Sequence, residues 1–178
     1  EVFMTQALAE RETGSRSVGQ EYVTFSLNNE EYAFDALNVR EIIEFGNVTK
    51  VPHLPDFFKG VINPRGTITP VVDLKQKFGM ESGNYQRHTC VIVTEFSKGV
   101  MGVIVDAVSD VMYLPDESIS STPSFGTKIR TDFIKGMGKV GDRLVLILDI
   151  DKVLTEEEAS IIGEQLAVDT ARQEGGLS

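Results

Sequence analysis

The sequence predicts a mainly β protein of two similar lobes, closed by a single C-terminal helix. Three observations lead there. Short segments of alternating apolar and polar residues recur along most of the chain with Gly or Pro between them. One block, FFKGVINPRGTITPVVDLKQKF, has an ungapped echo downstream. A capping box then opens a segment of helical period near the end.

The elements follow in order. Residues 1–20, rich in Gly, Ser, Thr and charge without periodicity, read as a flexible arm. YVTFSL from Tyr22 and YAFD from Tyr32 alternate around NNEE and read as a β-hairpin. VREIIEF, Val39 to Phe45, is a third strand, although VREII also suits a helical turn. Pro52 and Pro55 mark a loop. Further strands are expected at Gly60 to Asn63, Thr67 to Asp73, His88 to Phe96, Val100 to Val105, Val108 to Tyr113, Ile134 to Val140 and Arg143 to Asp149. Closing such strands into barrels removes edges that would otherwise pair with other chains. Thr155 and Glu158 form the capping box, and Ala159, Ile162 and Leu166 recur at helical spacing, predicting a helix over about 155–170. Residues 171–178 read as a frayed tail.

Composition narrows the function. The 178 residues hold one domain or two small lobes sharing a core. With 27 acidic against 17 basic residues and a net charge of −10, the chain lacks the basic face that nucleic acid or an anionic membrane needs. No apolar run is long enough to span a bilayer, and no secretory signal is visible. A single cysteine, Cys90, makes no internal disulfide and suits a reducing cytoplasm.

The repeat is the strongest internal signal. Phe57, Lys59, Gly60 and Asp73 meet Phe133, Lys135, Gly136 and Asp149, each pair 76 positions apart (133 − 57 = 76). Upstream, VREII at Val39 meets VSDVM at Val108, 69 positions on (108 − 39 = 69), matching Glu41 with Asp110. A duplicated β-unit follows, the first copy about 21–80 and the second about 88–155, with a groove between lobes as the natural binding place. The copies part at the hairpin tip, where Asn63-Pro64-Arg65-Gly66 stands against Lys139-Val140-Gly141-Asp142. Pro suits position i+1 of a turn and Gly i+3, which leaves Arg65 at i+2, presented outwards.

Other motifs carry less. Gly136 to Gly141 fits G-x-G-x-x-G but runs into a strand, whereas a dinucleotide loop must open a helix. Asp149 and Asp151 lack the further oxygen ligands of a metal loop, and Asp149, like Asp73, reads as the cap of a short helix. His88 and Cys90 share a strand face with no third group to make a catalytic set. Asp106 and Asp110 read as solvent-facing positions of an alternating strand. No catalytic residue, cofactor or metal is expected.

Taken together, YVTFSL, VREI, FFKGVINPRGTITPVVDL, GVMGVIVDAVSDV and GDRLVLILDI resemble the bacterial chemotaxis coupling proteins of the CheW family. The likeness runs from about Gln20 to Leu154, so that 21–170 reads as one such domain. The resemblance implies two intertwined five-stranded β-barrel subdomains with short helices. It also implies a non-catalytic, cytoplasmic adaptor that joins the cytoplasmic tips of methyl-accepting chemotaxis receptors to the regulatory domain of the histidine kinase CheA, recruited to membrane-associated arrays. The family's V-x-E-I segment falls on Val39, Glu41 and Ile42, its K-G on Lys59 and Gly60, and its N-x-R-G turn on Asn63, Arg65 and Gly66. These are the implied partner-binding residues, with the glutamate and arginine paired. Pro64 departs from the leucine or tyrosine usual there, and Lys75 from a common arginine. By the same analogy an apolar inter-lobe groove receives a receptor helix, and head-to-tail contacts of similar lobes build rings. Two other readings stay open: a scaffold of this family in a non-flagellar sensory pathway, and a small β-barrel ligand-binding protein with converging polar groups in a pocket.

Overall fold

Alternation becomes strand along nearly the whole path. The computed structural model describes residues 18–81, 85–120, 133–164 and 166; the expected tail, and the expected arm before Val18, lie outside them. The strands are β1 (Gly19–Leu27), β2 (Glu30–Asp35), β3 (Val39–Glu44), β4 (Phe58–Ile62) and β5 (Thr69–Asp73). After the helix α1 (Leu74–Lys77) come β6 (Cys90–Phe96), β7 (Gly99–Val105), β8 (Ala107–Pro115), β9 (Ile119–Ser120), β10 (Ile134–Val140) and β11 (Arg143–Leu148). Residues 156–164 form the C-terminal helix α2. VREII is strand, not helical turn. Gly19 and Gln20, expected in the arm, pair with Pro115 and Leu114, because β8 is long enough to carry β1 two residues further.

The strands form two sheets, in the orders β8-β1-β2-β11-β10-β9 and β3-β6-β7-β5-β4. The lobes therefore do not follow the repeats. The β1–β2 hairpin of the first copy sits among β8, β10 and β11 of the second, and the β6–β7 hairpin sits among β3, β4 and β5. Each sheet curls until the segment after its third strand meets its fourth. Thr49 bridges Val61 in one, and Ser120 of β9 pairs with Met137 in the other. The two-residue β9 makes the second sheet six-stranded instead of the expected five.

Both spacings read from the sequence reappear as register. The β-bulge between Phe58 and Gly60 recurs between Ile134 and Gly136, 76 positions on. A second bulge, at Arg40 between Val39 and Glu41, recurs 69 positions on at Ser109, where Val108 and Asp110 meet Phe25 and Thr24. The parallel ladders agree as well: Val71 pairs with Gly102, and Ile147 with Ala33.

Three layers of core result. Val71, Val91, Val93 and Ile104 fill the first barrel, and Tyr22, Ala33, Leu114, Val145 and Ile147 fill the second. Between the barrels lies the largest cluster, with Phe25, Phe34, Phe58, Val72, Val103, Leu146 and Leu148. Strands at that junction bury both faces, which is why β11 reads Val145-Leu146-Ile147-Leu148 without a polar break.

The predicted caps are present. Asp73 accepts from Gln76 N and from the Tyr85 hydroxyl, and Asp149 accepts from Asp151 N. Thr155 Oγ1 accepts from Glu158 N while Glu158 Oε1 accepts from Thr155 N, the reciprocal capping box. Lys77 Nζ reaches both Glu158 oxygens at 2.6 Å and lies over the repeat counterparts Phe57 and Phe133, tying α2 to both copies.

Candidate functional site

Two elements bring the expected residues together. Strand β3 is the outer strand of its sheet, and its bulge at Arg40 turns Val39 inwards against the central core. Ile43 packs towards the barrel interior, and Ile42 is left 43% exposed. Glu41, partly buried, faces the tip of the β4–β5 hairpin.

At that tip the turn differs in register from the sequence expectation. Thr67 N donates to Pro64 O at 3.3 Å, so Pro64 is position i, with Arg65 and Gly66 at i+1 and i+2. Both have positive φ, 56° and 85°, as in type I′ turns. Proline, without an N–H but with a free carbonyl, serves as well at i as at i+1. Arg65 remains outward, as its exposure of 83% shows.

Arg65 Nε meets Glu41 Oε2 at 3.2 Å. Because β3 and β4 are opposite edges of the curled sheet, this ion pair spans the seam where the barrel closes. In water such a pair contributes about 0–1 kcal/mol to stability, so its consequence is orientation. Glu41 engages Nε and leaves the guanidinium on the surface, a group suited to carboxylates and aromatic faces.

The remaining expected residues are divided. Lys59 is partly buried, and Asn63 and Gly66 are exposed on either side of the tip that carries Arg65. Gly60 is buried; a Cβ there would lie 2.1 Å from Thr49 O. Val39 and Gly60 thus shape the site from beneath.

Sequence reasoning missed a cluster on the second barrel. Arg143 at the β10–β11 tip makes paired bonds to Glu31, 2.8 and 3.0 Å, and reaches Asp110 at 3.4 Å. The fully buried Thr24 hydroxyl bonds both the Asp110 carboxylate and its backbone. Glu31 first and Asp110 second push the Arg143 pKa above its ordinary value. Asp110 is thus tied inwards and is no free solvent-facing group. The signal was available: Asp110 is the repeat counterpart of Glu41, and each acid meets an arginine from the tip of its own repeat's last hairpin. Asp106 is likewise engaged, pairing with Lys75 at 2.8 Å and accepting from Asn28 N at 2.7 Å.

The more voluminous of two grooves is polar. It encloses about 750 Å³ and is lined by Asn28, Asn29, Lys75, His88 and Asp106, because hairpin tips and helix starts meet there. An apolar groove of about 240 Å³ lies elsewhere, between β5, β7 and α2, lined by Ile68, Pro70, Val100, Ile162 and Leu166. Among the described residues no group of three or more His, Cys, Asp or Glu is placed to hold a metal ion. Cys90 is half-buried, and burial raises its thiol pKa, away from the nucleophilic form.

Known proteins share this arrangement. The CheW-like domain model matches residues 21–158. The chain is 42% identical over 146 residues to Chemotaxis protein CheW of Klebsiella aerogenes, covering 82% of this chain and 88% of that one. It is 34% identical over 139 residues to Chemotaxis protein CheW of Thermotoga maritima, covering 76% and 88%. The crystal structure of scaffolding protein TtCheW from Thermoanaerobacter tengcongensis superposes with a TM-score of 0.72 at 33% identity, covering 79% of this chain and 91% of that one. A family match over most of the chain, joined to two hairpin-exchanged barrels, places this chain in the CheW-like domain family.

Proposed function

We propose that this chain is a non-catalytic adaptor that couples the cytoplasmic tips of chemoreceptors to the regulatory domain of the histidine kinase CheA. Membership of a chemotaxis scaffold family supports the role, and one observation carries the site. Arg65 stands 83% exposed on a tight hairpin tip and meets Glu41 across the barrel seam. Ile42, exposed on the neighbouring strand, adds an apolar contact, and Lys59, Asn63 and Gly66 complete the patch. A surface of this kind, one exposed arginine with an apolar neighbour, suits a protein partner more than a small molecule. The chain works in the cytoplasm, held at receptor arrays by its partners.

The test is calorimetric titration of this protein with the isolated kinase regulatory domain from its own source, repeated with Arg65→Glu. Saturable binding by the parent, lost in a folded variant, is the expected result. A folded parent that fails to bind would redirect the reading to another kinase pathway or to a ligand-binding role.

A further inference from the structure

Strand pairing among the described residues divides along a rule. All five pairings within a repeat join consecutive strands: β1–β2, β4–β5, β6–β7, β9–β10 and β10–β11. All four pairings between non-consecutive strands cross from one repeat to the other: β1–β8, β2–β11, β3–β6 and β5–β7. Every core cluster is mixed in the same way. Val71 of the first copy fills its barrel with Val91, Val93 and Ile104 of the second, while Tyr22 and Ala33 fill theirs with Leu114, Val145 and Ile147.

From these observations we infer that neither repeat is a folding unit, that each is the binding partner of the other, and that a second copy of this chain can supply the missing half. Taken alone, the first repeat keeps two isolated hairpins and an unpaired β3, and two-stranded hairpins are marginal in water. Its half of each core faces solvent. The inter-repeat ladders join the β1–β2, β4–β5 and β6–β7 hairpins, and the short β9–β10–β11 meander, into sheets, so assembly of the halves is the step at which both barrels and the central core form. The covalent link between α1 and β6 raises the local concentration of one half around the other; among its described residues, the one backbone bond it adds between the repeats is from Phe45 N to Thr89 O, at the end of the β3–β6 ladder.

The experiment uses the full chain with a protease site inserted between Gly83 and Asn84, or between Glu81 and Ser82 should the first position fail to fold. The uncut insertion variant is the reference, so any cost of the insertion cancels. After cleavage, native mass spectrometry should show both pieces in one 1:1 particle. It should melt in a single transition whose midpoint falls by about 3–5 °C for each tenfold dilution, while the uncut chain shows no such dependence. Isotopically heavy and light cut proteins, unfolded and refolded together, should yield mixed particles. Separation of the pieces under native conditions, an independent cooperative transition for either piece, a midpoint indifferent to dilution, or refolding without mixing would overturn the inference.

Discussion

Arg65 and Gly141 occupy the same position in the two barrels, 76 residues apart, and hold the same left-handed backbone, φ 56° and 59°. One copy fills that position with the residue that tolerates it, and the other with an arginine. A left-handed non-glycine residue costs roughly 1–2 kcal/mol. The first barrel bears that cost and gains only a weak, exposed ion pair in return, which points to selection for what the side chain presents.

Arg65→Gly should therefore leave the melting temperature unchanged or raise it by up to about 4 °C, the relieved backbone strain being partly offset by a more flexible unfolded chain. Gly141→Arg should lower stability by about 1 kcal/mol. Thermal melts of both variants check the pair, and a substantial loss for Arg65→Gly would show that the arginine is structural.

Arg65→Glu places two carboxylates at the seam in water, where like charges cost little. Its melting temperature should stay within about 2–3 °C of the parent while kinase binding falls at least tenfold. Unfolding of this variant would remove Arg65 from the list of recognition residues.

Gly60→Ala should be among the worst single changes at the site. The added methyl meets the backbone oxygen of Thr49 at 2.1 Å, where the barrel closes, and φ of 142° adds strain. A loss of about 2–4 kcal/mol is expected. The counterpart Gly136 has an Ile119 methyl at 2.9 Å and Ser120 O at 3.2 Å, softer contacts, so Gly136→Ala should cost less. Urea denaturation of the two variants ranks them directly.

Removing the arginine should have opposite weight in the two barrels. Arg143→Ala strands Glu31 and Asp110, the latter bound to a buried threonine, and should cost about 1–2 kcal/mol. Arg65→Ala should cost less than about 1 kcal/mol. Equal costs would contradict the division into a locked tip and a presented one.

Acid should loosen the C-terminal helix. Burial raises the Glu158 carboxyl, but the Lys77 ammonium and the Thr155 bonds outweigh it and hold the group below the ordinary glutamate range. A folded pKa below the unfolded one stabilises the fold above the unfolded value, about 4.3, and that contribution is lost as pH falls through the folded value. Glu158→Gln should flatten the stability–pH curve below about pH 5 and leave its slope near neutrality alone. An unchanged acid limb would show that Lys77–Glu158 is not coupled to folding.

Much of this protein was legible in its sequence because it is written between neighbours. Period-two alternation marked the strands, Thr155 and Glu158 marked the helix start, Asp73 and Asp149 marked their caps, and the spacings of 69 and 76 marked a duplication that the bulges at Arg40 and Ser109 and at Lys59 and Lys135 repeat in space. Only the tertiary structure decided which copy each hairpin joins. β1 and β6 are equivalent strands offered equivalent edges, and alternation is satisfied by either pairing, so the choice rests on how loops and core volumes close two barrels together. The same non-local choice tied Asp110 to Arg143, laid Thr49 over Gly60, and set the turn in which Arg65 stands against Glu41.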